Sequence, residues 1–367
     1  MSGSDDPAPL PPVRSPGTKG RRTRSLYLLL AILGIVAFVI ILSPLLGTVF
    51  IPPLTVLRIL VGFPNACLGT SASPSLCSAY TEIVWQERIP EIGLAAIAGA
   101  ALGISGATLQ GVFRNPLADP FLLGISSGGT IGAAIVFDFH IGQLQADLFL
   151  PLFAFIGAIA TGLVILGVAL SRYGSVETLL LTGVALSSLL SAVLALLLLY
   201  NPIGSEQVAF WLLGGLGNAS WTVDGIAMGV LLVTGTLLCL FGRELNLMQL
   251  GGDVARSAGV DVRRVRVWLI LLASLTTGVA VAFTGIIGFV GLVSPHVVRR
   301  IAGTDYRLVL PGSALVGAVF LLGARDTSLL IYSSSVLPIG IFTAFFGAPF
   351  FIYLLFRRRP TTTMGGL

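Results

Sequence analysis

Charge is scarce in this chain. Only 10% of its 367 residues are Asp, Glu, Lys or Arg, 55% are hydrophobic, and the mean hydropathy is +0.97. A water-soluble protein of this length needs far more polar surface, so a bilayer is the solvent for most of it. Histidines number two and cysteines three. Two histidines and no paired carboxylates leave little for acid–base or metal chemistry, and His140 and His296 read as structural, hydrogen-bonded residues. No GxxxxGK[ST] string occurs, so the chain has no P-loop to hold nucleotide phosphates. No apolar run carries Asp, Glu, Lys or Arg near its centre. Ion-coupled carriers commonly place an ionisable group there, so its absence disfavours a secondary transporter. It does not exclude one, because backbone carbonyls also bind sodium.

What the chain has in abundance is long apolar runs. From Leu26 to Phe356 they follow one another, each long enough for a hydrocarbon core of about 30 Å. With charges and turn residues as punctuation, ten spans are expected near 26–50, 91–112, 121–138, 148–170, 178–200, 222–242, 266–284, 286–302, 308–324 and 339–356. The uncharged stretch Val267–Val298 is too long for one span, and Gly285, Gly288 and Gly291 supply the break. Residues 1–25, rich in Pro, Ser and charge, read as a disordered cytoplasmic tail, and 360–367 as a second short one. The fold class is therefore all-α and polytopic, with a ten-helix domain over 26–359.

The pI near 9.4 does not imply nucleic acid, because the basic residues lie in short loops rather than on one face. With both termini cytoplasmic, ten spans place all but three of the 21 Lys and Arg inside, leaving Arg58, Arg88 and Arg325 outside. A wrong span count would scramble that asymmetry. Cys67 and Cys77 both fall in the first external loop, where an oxidising compartment would let them pair. Cys239, within a span, reads as a small packing residue. The 45 glycines recur as small-xxx-small pairs such as Gly99/Gly103 and Gly128/Gly132, a spacing that lets helix backbones approach closely.

Several strings resemble the permeases of type II ABC importers, which take up ferric siderophores, haem and vitamin B12. They are GATLQGVFRNPLADP (106–120), LLGISSG (122–128), FWLLG (210–214), GFVGLVSPH (288–296) and LPIGIFTAFFGAPF (337–350). The likeness runs in order from Glu87 to Arg359. It implies ten spans per subunit and a working unit of two permeases (here most simply a homodimer). It also implies two cytoplasmic ATPase subunits, which would hold ATP and Mg, and an external substrate-binding protein. No cofactor is expected on this chain itself.

The resemblance also implies roles for residues. LGGDVARSAGV (250–260), in the longest cytoplasmic loop, matches the family's coupling region. Leu250, Asp253, Arg256, Ser257 and Gly259 would then form a short lever seated in a groove of the ATPase. Asn115 and Leu117, with Val176 and Glu177, match the cytoplasmic gate; the family can place small hydroxyl residues where Val176 and Glu177 stand. Asn115 and Asp119 beside Pro116 and Pro120 also read simply as turn formers. At the external rim the family's Arg-Leu-Pro-Arg appears as Arg88-Ile-Pro-Glu91, its Glu-Leu-Pro as Val336-Leu-Pro338, and its Ala-Asp as Ala324-Arg325. Arg88, Glu91 and Arg325 are accordingly the expected docking residues for a binding protein, in an altered charge pattern.

Overall fold

The computed structural model describes residues 18–62, 73–139, 146–171, 175–200, 202–331 and 338–357. Among them every regular element is helical and no strand occurs. In chain order, α1 is Thr18–Leu42, α2 Pro53–Leu60, α3 Pro74–Glu82 and α4 Ile89–Phe113. Then come α5 (Ile125–Asp138), α6 (Ala146–Leu170), α7 (Val176–Tyr200) and α8 (Pro202–Leu212). The second half comprises α9 (Trp221–Leu240), α10 (Gly242–Gln249), α11 (Gly252–Ser257) and α12 (Val262–Thr284). It closes with α13 (Val290–Ala302), α14 (Tyr306–Ile331) and α15 (Ile339–Arg357).

Each of the ten expected spans is met by a helix, but not every helix has spanning length. Seven described segments are long and apolar enough to cross a membrane; Ile125–Asp138 and Ile339–Tyr353 are shorter apolar helices. The tenth, α13, has 13 residues and two arginines in its last turn. Its shortness follows from the glycine break. Gly285 (φ +67°) and Phe289 (φ +68°) are left-handed, and the backbone between α12 and α13 is unwound. Non-helical backbone at membrane depth survives only where other protein covers it. Here the Thr284 carbonyl accepts from the Gly215 N–H (2.8 Å).

Other segments also differ from expectation. The first span ends at Leu42 rather than running to 50, because Pro44 turns the chain into a 3-10 turn, Ser43–Leu45. The first external loop is not plain coil but carries α2 and α3, and a π-helical segment, Ile83–Arg88, leads from α3 into α4. The stretch before α9 contains α8, a helix of mixed polarity that Pro202 at its start and Gly214 just beyond it disguise as loop.

α4 is the centre of the bundle, packed by α9, α12, α13 and α14 and buried along most of its length. Small residues make this possible. A Cβ on Gly99 or Gly103 would drive into the backbone of Gly317 or Ser313 on α14, and one on Gly106 into Gly291 on α13. Gly128 and Gly132 of α5 approach Gly157 and Phe153 of α6 in the same way. At the opposite extreme, α7 presents Leu181, Leu189, Leu196 and Leu199 outward.

Candidate gate, coupling surface and outer clasp

The chain leaves α4 through a tight left-handed cap. Arg114 takes φ +49°, its N–H donates to the Gly111 carbonyl (3.3 Å), and the Asn115 N–H donates to the Gln110 carbonyl (3.2 Å). That is a Schellman pattern with arginine where glycine is usual. Asn115 then accepts the Leu117 N–H on Oδ1 (3.0 Å), and its carbonyl accepts the Ala118 N–H (3.1 Å). Asp119 Oδ1 accepts the Phe121 N–H (2.9 Å), capping the 3-10 turn Pro120–Leu123. The turn-former reading of Asn115 and Asp119 is thus correct in its geometry. Burial pushes the Asp119 carboxyl up to about 6, against the Phe121 hydrogen bond, which holds it down.

This rigid turn leaves Leu117 exposed, at 39%. Ala118 and Leu123 join a hydrophobic cluster with Leu179, and Val176 packs against its edge. α7 also rests on the 3-10 turn, and its first turn is capped by Ser175 Oγ, which accepts the Thr178 N–H (3.1 Å). The two expected gate segments therefore share one neighbourhood, with Leu117 and Glu177 on the surface and Val176 half-buried.

The expected coupling region is a discrete helix, α11. It ends in a complete Schellman motif: Val260 N–H to Ala255 O (3.0 Å) and Gly259 N–H to Arg256 O (2.9 Å), with Gly259 at φ +84°. Ala255 is its anchor, buried with Met248 of α10 and Val262 of α12. Everything else faces out. Leu250 is 69% exposed and Val254 48%, Ser257 is exposed, and Arg256 pairs with Asp253 (2.5 Å) at the surface. Exposed apolar side chains beside an exposed ion pair are what a partner's groove can cover.

At the expected docking rim the two arginines are buried and Glu91 is partly exposed. Arg88 and Arg325 do not project as docking residues: their exposures are 3% and 2%. Arg88 donates to the carbonyls of Pro44 (2.8 Å) and Val49. Arg325 pairs with Glu91 (2.9 Å) and Asp326 (2.9 Å) and donates to the Ser43 carbonyl (3.4 Å). Ser43 Oγ donates to Asp326 (2.6 Å). Arg88 and Arg325, with the partly exposed Glu91, clasp the 43–49 segment that follows α1 to the ends of α4 and α14. Two buried guanidiniums must find acceptors within the protein, and reversal of the second rim arginine to Glu91 provides one. Cys77 is disulfide-bonded; Cys67 and His140 lie outside the described residues, and the His296 ring meets Phe350 edge-on.

Some residues escaped sequence reasoning. Gln110, Asn246, Gln249, Arg299 and Asp305 make hydrogen bonds where the end of α4 meets α10, α13 and α14. A glutamine inside the apolar run before NPLADP was the available signal. Asp224, in the first turn of α9, is buried against Gly93 with Oδ1 unpartnered.

The pattern of the FecCD transport family matches residues 35–357. The chain belongs to that family. Among its relatives, the haemin transport system permease protein HmuU of Yersinia pestis is 40% identical over 275 residues, 74% of this chain and 82% of HmuU. The vitamin B12 import system permease protein BtuC of Salmonella paratyphi A is 38% identical over 308 residues, 83% of this chain and 94% of that protein. The "Probable siderophore transport system permease protein YfhA" of Bacillus subtilis (strain 168) is 35% identical over 349 residues, 94% and 98% of the two chains. A solved structure described as "An inward-facing conformation of a putative metal-chelate type ABC transporter" superposes with a TM-score of 0.77 at 27% identity. It covers 90% of this chain and 99% of the other. This FecCD protein is accordingly a multi-pass membrane permease of the ABC-importer class.

Proposed function

We propose that the chain, paired with a second copy in the cytoplasmic membrane, encloses the path of a bulky metal chelate. Two separate ATPase subunits, holding ATP and Mg, drive it, and an external binding protein feeds it. The observation that carries this reading is α11: a capped helix, held by one buried alanine and otherwise exposed, at the same end as the Asn115–Leu117 turn. With no nucleotide motif in the chain, energy has to arrive through such a contact. The outward leucines of α7 suit a second copy. Ferric siderophore is the first cargo, because YfhA, matched over nearly its whole length, is named for siderophore transport; haem and cobalamin follow, as HmuU and BtuC are named.

The test is reconstitution of permease, ATPase and binding protein in liposomes, with ferric siderophore, haemin and cobalamin offered in turn. ATP-dependent uptake of one of them is expected. Uptake that collapses with an uncoupler while ATP persists, and that needs no ATPase, would establish secondary transport instead.

A further inference from the structure

Polar side chains from two helices converge on the last turn of α4. Gln249, the final residue of α10, donates from Nε2 to the Gly111 carbonyl (2.8 Å). Arg299 of α13 donates from Nη1 to Gln110 Oε1 (2.6 Å) and from Nη2 to the Tyr306 hydroxyl (3.4 Å). Gln110 Nε2 donates in turn to the Gly291 carbonyl (3.2 Å). Gly111 lets the two helices close in, since a Cβ there would meet Leu245 of α10 at 2.7 Å and the Tyr306 ring at 2.8 Å and force those side chains to shift.

α10 has a second anchor. Asn246 Nδ2 donates to Asp305 Oδ1 (2.6 Å), and its own Oδ1 accepts the Tyr306 N–H (2.9 Å) at the start of α14. Asp305 Oδ1 also accepts the Arg307 N–H (3.0 Å), which fixes the turn that α10 grips. A helix held at one point can pivot. Held at two, with Leu245 and Met248 buried beneath it, α10 moves only with α4 and α14. Met248 is also the residue on which Ala255 of α11 is seated. Gly111 lies one turn before Asn115.

We propose that α10 is a rigid link carrying the displacement of α11 into the last turn of α4, and so to the Asn115–Leu117 turn, with Gln249 and Asn246 as its positioning residues. The proposal rests on the reading of α11 as the ATPase contact and of Leu117 as part of the gate. It supplies a contiguous chain of packed and hydrogen-bonded groups of the kind that carries coupling between sites. Neither side chain touches cargo or nucleotide, so their loss should uncouple rather than inactivate.

The experiment labels Leu117→Cys with a charged maleimide in the permease–ATPase complex, in a Cys239→Ala background. Labelling rates are compared without nucleotide and with Mg-ATP plus vanadate. The parent should label at different rates in the two states. Gln249→Glu, which sets a carboxylate against the Gly111 carbonyl, and Asn246→Leu should each bring the ratio of rates to unity. Basal ATP hydrolysis and complex yield should stay at parent values, which a merely structural loss would not leave intact. Asp305→Asn, which keeps an oxygen facing the Asn246 amide, should preserve the ratio. A nucleotide-dependent ratio that survives both uncoupling substitutions overturns the link. A parent showing no nucleotide dependence overturns the gate beneath it. If Asn246→Leu does not assemble, Gln249→Glu decides alone, because that side chain lies at the surface.

Discussion

Substitutions on α11 separate the stability of a lever from the surface it offers. Gly259→Pro attacks stability. The residue sits at φ +84° and its N–H closes the Schellman motif on Arg256; proline fixes φ near −65° and has no N–H. Proline where φ is positive and the N–H is hydrogen-bonded destabilises by more than about 1 kcal/mol, so the cap that stops α11 should be lost and the short helix should fray. Gly259→Ala is the graded control, losing about 1 kcal/mol for a left-handed non-glycine residue and weakening coupling partially. Arg256→Glu attacks the surface. Its pair with Asp253 is exposed on both sides (66% and 95%), and such pairs contribute at most about 0.5 kcal/mol. Any large effect must therefore arise in the partner's groove. All three variants should insert normally, because none lies in an apolar span. Liposomes containing permease, ATPase and binding protein report ATP hydrolysis and uptake together. Gly259→Pro and Arg256→Glu should abolish uptake and the response of hydrolysis to binding protein. If both keep wild-type stimulation and uptake, α11 is not where energy enters.

Four further outcomes follow from the structure. Gly103→Val should lower thermal stability in detergent by about 1–3 kcal/mol or more through overpacking against Ser313, whereas Gly167→Ala, with open space around it, should be neutral or mildly stabilising. Asp119 has its folded pKa raised from 3.8 to about 6, so the native state binds the extra proton between those values. Stability from this group is present below 3.8 and lost as pH rises through 6. Asp119→Asn should flatten that slope and stabilise at neutral pH by on the order of 3 kcal/mol, read from melting curves across pH. Arg325→Met leaves Glu91 and Asp326 without their cation and should cost about 3–5 kcal/mol; unchanged melting would refute the clasp. Mass spectrometry of non-reduced peptides should find Cys77 joined to Cys67, and two freely alkylatable thiols would contradict it.

Hydropathy made the spans legible, because a bilayer imposes one length on many sequences. It could not separate a crossing helix from a half-length one: α13 reads like its neighbours until Gly285–Phe289 is seen unwound under the α8–α9 connection. α8 was missed because Pro202 and Gly214 punctuate like loop residues. α11 was legible down to its stop, since Gly259 announces a left-handed cap from sequence alone. The rim was not. Whether Arg88 and Arg325 face solvent depends on Glu91 and Pro44 meeting Arg325 and Arg88 across the bundle, and no local pattern encodes that. The α10 anchors were hidden likewise, since Asn246 and Asp305 look like ordinary loop polar residues until the fold apposes them.

The contrast between the clasped outer end and the open inner one has a practical consequence in ionic strength. The guanidiniums of Arg88 and Arg325 are buried, with Glu91 partly exposed beside them, whereas Asp253 and Arg256 stand in water, where screening acts over about 8–10 Å at physiological salt. Raising salt should therefore weaken the charged part of the contact proposed between α11 and an ATPase more than it weakens the buried arginine clasp. A salt wash that released the proposed ATPase would then deliver a folded permease ready to be recombined, with α11 free and the Arg88–Arg325 clasp unchanged.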